Sequence, residues 1–172
     1  MSVEFVEPSP LEYKSTCDVC DELGDSALIP NGIQWKMYGG KKQYCGYAVT
    51  IQCFDDNTWV KDLIESTIGV GKILVIDAQK STNCAIIGDG VAAMAVENKW
   101  EGIIVYGCVR DVEGLSMLDL GIHAIGNVPN KSKRNGRKKG VAGEPITIEN
   151  VPVSTGDKVF ADMDGVVFVK AG

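Results

Sequence analysis

The run Ile73-Leu74-Val75-Ile76-Asp77 constrains this chain more than any other segment. Four uninterrupted aliphatic side chains leave no wet face, so the run reads as a strand buried on both sides, with a covering layer on each. Gly102-Ile103-Ile104-Val105-Tyr106-Gly107 repeats the pattern, with a strand expected at 102–106. Helical spacing appears around these runs. Trp59 and Leu63 share a face of a helix predicted over 58–66 and capped by Asn57, while Val91, Met94 and Ala95 form a stripe over 90–99. Ser15-Thr16 caps a short helix from Cys17 to about Leu23, with Gly24 at its exit. Further strands are expected at 33–38, 45–53, 84–87 and 122–126, and a helix runs from Asp111 to about Leu120. A glycine-rich basic loop fills 128–143, and short strands at 146–148, 151–153, 158–160 and 165–169 follow, separated by Asn, Gly and Asp turns. Strands and helices alternate in the middle while both ends are β-rich. The expectation is one layered α/β domain with a mixed sheet over residues 1–172.

A chain of 172 residues, 45% hydrophobic and 23% charged, can bury a real core and has the make-up of a soluble globular protein. No apolar run approaches the roughly 18 residues that span a bilayer. The start, MSVEFVEPSPLEY, has neither a basic opening nor an apolar core, so a cytoplasmic protein away from membranes is expected. The net charge of −6, from 23 acids against 17 bases, argues against direct nucleic-acid binding, which needs surplus cations to displace counterions. Residues 131–139, KSKRNGRKK, run the other way with six cations and no acid, and without aromatics they read as an exposed loop. Of the six cysteines, Cys17 and Cys20 have a zinc-like spacing but no second pair and no nearby His, so they read as structural thiols on a short helix. Cys45, Cys53, Cys84 and Cys108 lie in apolar segments and read as small core residues.

The chemistry concentrates at two short segments. Arg110-Asp111 ends the second apolar run, and Gly88-Asp89 precedes it with twenty residues between Asp89 and Arg110. Open α/β sheets bind ligands at such strand ends. Gly88-Asp89-Gly90-Val91 opens a helix whose first N–H groups are unpaired and lie at the positive end of its dipole, and the glycines admit an anion close to the backbone. Arg110 can grip a small carboxylate through two hydrogen bonds, and Asp111 can hold Mg²⁺ or Mn²⁺ with water filling most of the shell. Competing motifs are weaker. Gly69-Val70-Gly71-Lys72 lacks the rest of a P-loop, and no strand–GxGxxG–helix unit supports a nucleotide or methyl donor. His123, the only histidine, sits in an apolar strand and reads as a satisfied core residue.

The segment GDGVAAMAVENKWEGIIVYGCVRDVEGLSMLDLGIHAIG (88–127) resembles the family of the regulator of ribonuclease activity A and the class II 4-hydroxy-4-methyl-2-oxoglutarate aldolases. The resemblance extends to Thr16-Cys17-Asp18-Val19-Cys20-Asp21, to AVTIQCFDDN (48–57) and to VPVSTGDKVFADMDGVVF (151–168). It implies a compact α/β/β-layered fold, of the swivelling phosphohistidine-domain type, assembled as a homotrimer, or a hexamer when doubled, with sites at subunit interfaces. It further implies that Gly88, Asp89, Gly90 and Val91 bind a pyruvate moiety together with Arg110, that Asp111 binds the divalent metal, and that Asp89 organises water. The regulator branch often lacks the metal Asp, so Asp111 favours an enzyme. One departure is visible: the aldolase pattern places an acid where Gly114 stands, and Glu113 comes one residue early, which turns a helical side chain by about 100°. No residue before the end at Gly172 offers the extra acid that some longer aldolases contribute to a neighbouring subunit.

Two functions follow as expectations. The first is a metal-dependent lyase that cleaves pyruvate-containing oxo acids and decarboxylates oxaloacetate through a metal-stabilised pyruvate enolate. Arg110 steadies the charge and a water on Asp89 acts as base. The second is a non-enzymatic inhibitor of ribonuclease E working through an acidic surface.

Overall fold

The structure is a computed structural model that describes residues 8–136 and 140–172. In chain order the strands are β1 (Lys36–Met37), β2 (Tyr44–Gln52), β3 (Lys72–Ile87), β4 (Gly102–Val109), β5 (Gly121–Asn127), β6 (Val141–Ala142), β7 (Ile146–Ile148), β8 (Val151–Val153), β9 (Lys158–Asp162) and β10 (Gly165–Val169). The helices are α1 (Thr16–Leu23), α2 (Thr58–Ser66), α3 (Asp89–Glu97) and α4 (Val112–Ser116). One mixed sheet runs β1-β5-β4-β3-β2-β9-β10, with β6 alongside β2. Its centre, β2-β3-β4-β5, is parallel, and β1, β6, β9 and β10 join it antiparallel.

The double-sided burial expected for 73–77 is borne out residue by residue. Leu74 and Ile76 point to a cluster with Val60, Leu63, Val91 and Ala95 of α2 and α3. Their neighbours Ile73 and Val75 point to the opposite cluster, with Tyr44, Ile148, Val151 and Phe168. Helices therefore cover one face, while the β7–β8 hairpin and the curled β9–β10 end cover the other. This is the expected layered α/β/β arrangement with a mixed sheet.

The curl has a specific cause. A Cβ on Gly102 would lie 2.3 Å from Tyr44 Cε2, and one on Gly121 would lie 2.2 Å from Cδ1 and Cε1 of the same ring. The ring of Tyr44 thus lies on bare backbone of β4 and β5, and its hydroxyl meets His123 Nδ1. Nε2 of His123 pairs with the Asp162 carbonyl at 2.9 Å, and burial depresses the imidazole pKa. His123 is the satisfied core residue its apolar strand suggested.

Several boundaries move. Strand 33–38 shrinks to Lys36–Met37. The segments 73–77 and 84–87 both pair with β4 and belong to one interrupted strand, bent where Gln79 and Lys80 take positive φ. Helix α4 stops at Ser116, where Met117 N and Leu118 N turn to carbonyls only three residues back, Gly114 O and Leu115 O, and the chain beyond is held by Gly40 N and Lys41 N on the carbonyls of Leu118 and Leu120. Asn57 occupies the start of α2 without capping it; Asp56 Oδ1 accepts from Thr58 N instead. Cys53, Cys84 and Cys108 are buried, Cys45 is half-buried, and Cys17 is exposed on α1. Among the described residues, no helix is long and apolar enough to cross a membrane.

Overpacking tests the curl. Gly121→Ala should lose about 1–3 kcal/mol in urea unfolding, because the new methyl meets the buried Tyr44 ring. Gly156→Ala serves as a comparison, since strain at its φ of 97° acts there without any neighbour within 4 Å.

Candidate functional site

At the C-terminal end of the parallel strands Ile87 pairs with Val109, and Arg110 N donates to Ile87 O at 2.9 Å. Gly88-Asp89 and Arg110-Asp111 therefore leave the sheet side by side. Gly88 precedes α3 in extended conformation with no side-chain cap. A Cβ there would stand 2.6 Å from Asp111 Oδ2 and 3.4 Å from Arg110 Nε, so only glycine permits this approach. Asp89 N donates to Asp111 Oδ2 at 3.2 Å. The next first-turn N–H groups, of Gly90 and Val91, have no intrahelical acceptor and lie at the positive end of the helix.

Asp111 is the strained member. Its φ of 58° and ψ of 44° place it in the left-handed region, a conformation that short polar side chains adopt more readily than others. It occupies the N-cap position of α4 without capping it. Its carboxylate turns back toward Gly88 and lies 3.8 Å from Arg110 Nε, both side chains about one-third exposed. An ion pair that long and that wet contributes little to stability. Asp89, for its part, lies across Gly114: a Cβ at 114 would be 2.9 Å from Asp89 Oδ2 and 3.0 Å from its Cβ. The glycine that departs from the aldolase pattern is what gives Asp89 its room, while Glu113 stays exposed.

All the residues singled out in the sequence line one hollow of about 130 Å³: Gly88, Asp89, Gly90, Val91, Arg110 and Asp111. Six further residues line it that sequence reasoning did not select, namely Asn57, Ala85, Ile86, Lys131, Ser132 and Arg134. The last three belong to the basic segment read as an exposed loop. Its first part keeps Lys131, Lys133 and Arg134 exposed, as expected, but its backbone is a strap laid along the end of β3. Ala85 N donates to Asn130 O, Ser132 N to Ala85 O, and Lys133 N to Asp55 O. Asn135 N and Gly136 N both donate to Asp56 Oδ2, at 3.1 and 2.9 Å. Burial pushes the Asp56 pKa up, but hydrogen bonds from Thr58, Gly136 and Asn135 outweigh it and hold the carboxyl below its usual value. Residues 137–139 lie outside the described residues. The available signal was the six-cation run itself, and the acidic pair Asp55-Asp56 that receives it.

Three cations, Arg110, Lys131 and Arg134, thus surround a hollow that also holds two carboxylates, Asp89 and Asp111. Ser132 Oγ and Asn57 Oδ1, on residues of its wall, are buried without a hydrogen-bond partner, while Asn57 Nδ2 donates to Ile86 O at 2.8 Å. Orphaned polar atoms of this kind mark a place built for a polar ligand or water. Two larger hollows lie elsewhere, one of about 330 Å³ beside Cys17 and Trp35 and one of about 520 Å³ beside Tyr13 and Met163. Neither gathers cations around free helix N–H groups, so chemistry rather than size selects the smaller one. No cluster of three or more metal-ligating side chains occurs among the described residues. A hard ion that keeps most of its water fits the oxygen donors here, because Asp111 directs a half-exposed carboxylate away from its own helix into the hollow.

Comparison with known proteins gives the family and its fold. The RraA-like model, described as Aldolase/RraA, matches residues 16–168. A protein of Alcanivorax borkumensis, provisionally named 4-hydroxy-4-methyl-2-oxoglutarate aldolase, is 43% identical over 152 residues, covering 88% of this chain and 93% of its own. The crystal structure of a protein from Geobacillus kaustophilus, named as an S-adenosylmethionine:2-dimethylmenaquinone methyltransferase, superposes with a TM-score of 0.86 at 34% identity, covering 92% and 100% of the two chains. The RNA-processing inhibitor RraA from Thermus thermophilis superposes with a TM-score of 0.83 at 31% identity, covering 94% and 97%.

The left-handed backbone at position 111 separates two substitutions. Asp111→Asn should unfold in urea close to the parent. Asp111→Val should be about 1–2 kcal/mol less stable than Asp111→Asn, because a β-branched residue resists this conformation.

Proposed function

Because the chain belongs to the RraA-like family, we propose that it is a divalent-metal-dependent lyase that releases pyruvate from 4-hydroxy-4-methyl-2-oxoglutarate-type oxo acids and decarboxylates oxaloacetate. The observation that carries the reading is the convergence of Arg110, Asp111 and the free N–H groups of Gly90 and Val91 on one hollow. Arg110 and those N–H groups bind the carboxylate next to the 2-oxo group, the guanidinium through its two-pronged fork. Mg²⁺ or Mn²⁺ held by Asp111, when bound, supplies Lewis-acid polarisation of the 2-oxo group.

In the aldol substrate the 4-hydroxyl proton passes to a water held by Asp89, and the C3–C4 bond breaks. Its electron pair moves toward the 2-oxo oxygen, where Arg110 lies close enough to steady the growing negative charge. Reprotonation at C3 gives one pyruvate, and the departing fragment is the second. Oxaloacetate reaches the same enolate by losing carbon dioxide. Both substrates carry a second carboxylate, and the cations of Lys131 and Arg134 on the strap face that end. Pyruvate-forming chemistry of this kind also needs water excluded. Val112 on α4 and Met117 just after it, 39% and 82% exposed, support closure by a neighbouring copy in a homotrimer, or in a hexamer when doubled.

A second reading, regulation of ribonuclease E in the cytoplasm, is supported by the likeness to the RNA-processing inhibitor and by the net charge of −6. The basic strap weighs against it, since a mask for a basic RNA-binding surface gains nothing from cations. Retention of ribonuclease E on the immobilised protein, with no turnover of any oxo acid, would transfer the assignment to this reading.

Pyruvate release from oxaloacetate and from 4-hydroxy-4-methyl-2-oxoglutarate should require Mg²⁺ or Mn²⁺ and stop on chelation. Arg110→Lys should lower kcat/KM about 10²-fold or more, since Lys keeps the charge but loses the fork. Asp111→Asn should remove the metal requirement together with the activity. Metal-independent turnover by the parent would sink the proposal, as would a monomer of full activity in light scattering for the assembly.

A further inference from the structure

We propose that Asp56 is a positioning residue: its buried carboxylate latches the strap 130–136 against the hollow and so sets where Arg134 meets the distal carboxylate of the substrate. The catalytic half of this inference rests on the oxo-diacid reading above, whereas the latch itself does not.

The two oxygens of Asp56 have separate duties. Oδ1 accepts from Thr58 N at 2.9 Å and Thr58 Oγ1 at 2.6 Å, and so begins α2. Oδ2 accepts only from the strap, from Asn135 N and Gly136 N, some eighty residues away in the chain. At 4% exposure the carboxylate is removed from water, and four donors supply what its oxygens need. Other ties of the strap lie nearer its start: the exchange with Ala85 on either side of Lys131, the bond from Asn130 Nδ2 to Asn83 O, and the bond from Lys133 N to Asp55 O. Lys131 is therefore fixed by β3 itself. Arg134 is different, because it sits between Lys133 and the two residues that Asp56 holds. Gly136 reaches the latch with a φ of 61°, which a side chain would strain.

A carboxylate that only began a helix would need Oδ1 alone. Asp56 is also separate from the reacting end, since the hollow is lined by Asn57 and not by its neighbour. Its loss should therefore be felt in how tightly a diacid binds rather than in the chemistry.

Three variants divide the two duties. Asp56→Asn puts an amide where donors converge, Gly136→Val disturbs the latch from the strap side, and Thr58→Ala weakens only the helix side. Limited trypsin digestion with mass spectrometry reads cleavage after Lys133 and Arg134, independent of any activity. Asp56→Asn and Gly136→Val should be nicked there about tenfold faster than the parent, and Thr58→Ala should not. In the metal-loaded protein the first two should raise KM for 4-hydroxy-4-methyl-2-oxoglutarate, whose distal carboxylate keeps its charge through the cleavage, about tenfold with kcat nearly unchanged. Exchange of the methyl protons of pyruvate in D₂O, which involves no distal carboxylate, should stay at the parent rate. Equal nicking of parent, Asp56→Asn and Gly136→Val overturns the latch. Equal acceleration by Thr58→Ala assigns Asp56 to helix stability and overturns it as well. Faster nicking with an unchanged KM overturns the positioning role. If Asp56→Asn does not fold, Gly136→Val decides alone. A parent that processes neither pyruvate nor oxaloacetate removes the lyase reading, while the digestion still decides the latch.

Discussion

Ile87 beside Val109, at the ends of two parallel strands, is the pairing on which the site depends. It is reached by an unusual route. From Asp77 to Ala85 β3 advances eight residues while its partner β4 advances two, from Tyr106 to Cys108, so six residues of β3 are put out of the ladder. Positive φ at Gln79 and Lys80 turns the excursion, Asp77 Oδ1 accepts from Gln79 N, and Lys80 pairs with Glu149, which also accepts from the Tyr106 hydroxyl. The strand then rejoins β4, with one more shift between Ala85 and Ile87. Without that return, Gly88 and Asp111 would not meet, and the hollow would have no floor.

The returned end of β3 is gripped from both sides, by β4 and by the strap through Ala85. This arrangement sorts the charges. The acids Asp89 and Asp111 come from the β3 and β4 side, where helix N–H groups and Arg110 offset them. The strap adds the cations Lys131 and Arg134 to the lining. A small acid with an anionic group at each end would find a complementary partner at each wall, whereas a neutral ligand would leave several charges unmatched.

Gly114 shows how a local departure from a family pattern can have a tertiary reason. In the sequence it looks like the loss of an acid. In the fold its missing Cβ is the space that Asp89 occupies. A side chain at position 114 would press on Asp89 as it is placed here, and the carboxylate of Asp89 would have to shift to make room.

The sequence by itself determined the layers and the reacting end. A continuous aliphatic run such as Ile73–Ile76 has no wet face in any fold, and Gly88-Asp89 and Arg110-Asp111 directly end or follow such runs, so local order alone put them at strand ends. Only the tertiary structure decided the other wall. The strap is polar, glycine-containing and rich in cations, which is the composition of a solvated loop, and nothing periodic in it foretells a partner. Its place comes from hydrogen bonds to Ala85, Asp55 and Asp56, residues some fifty to eighty positions earlier. Backbone N–H groups carry no sequence signature, so a buried carboxylate that collects them becomes visible only once the chain has folded.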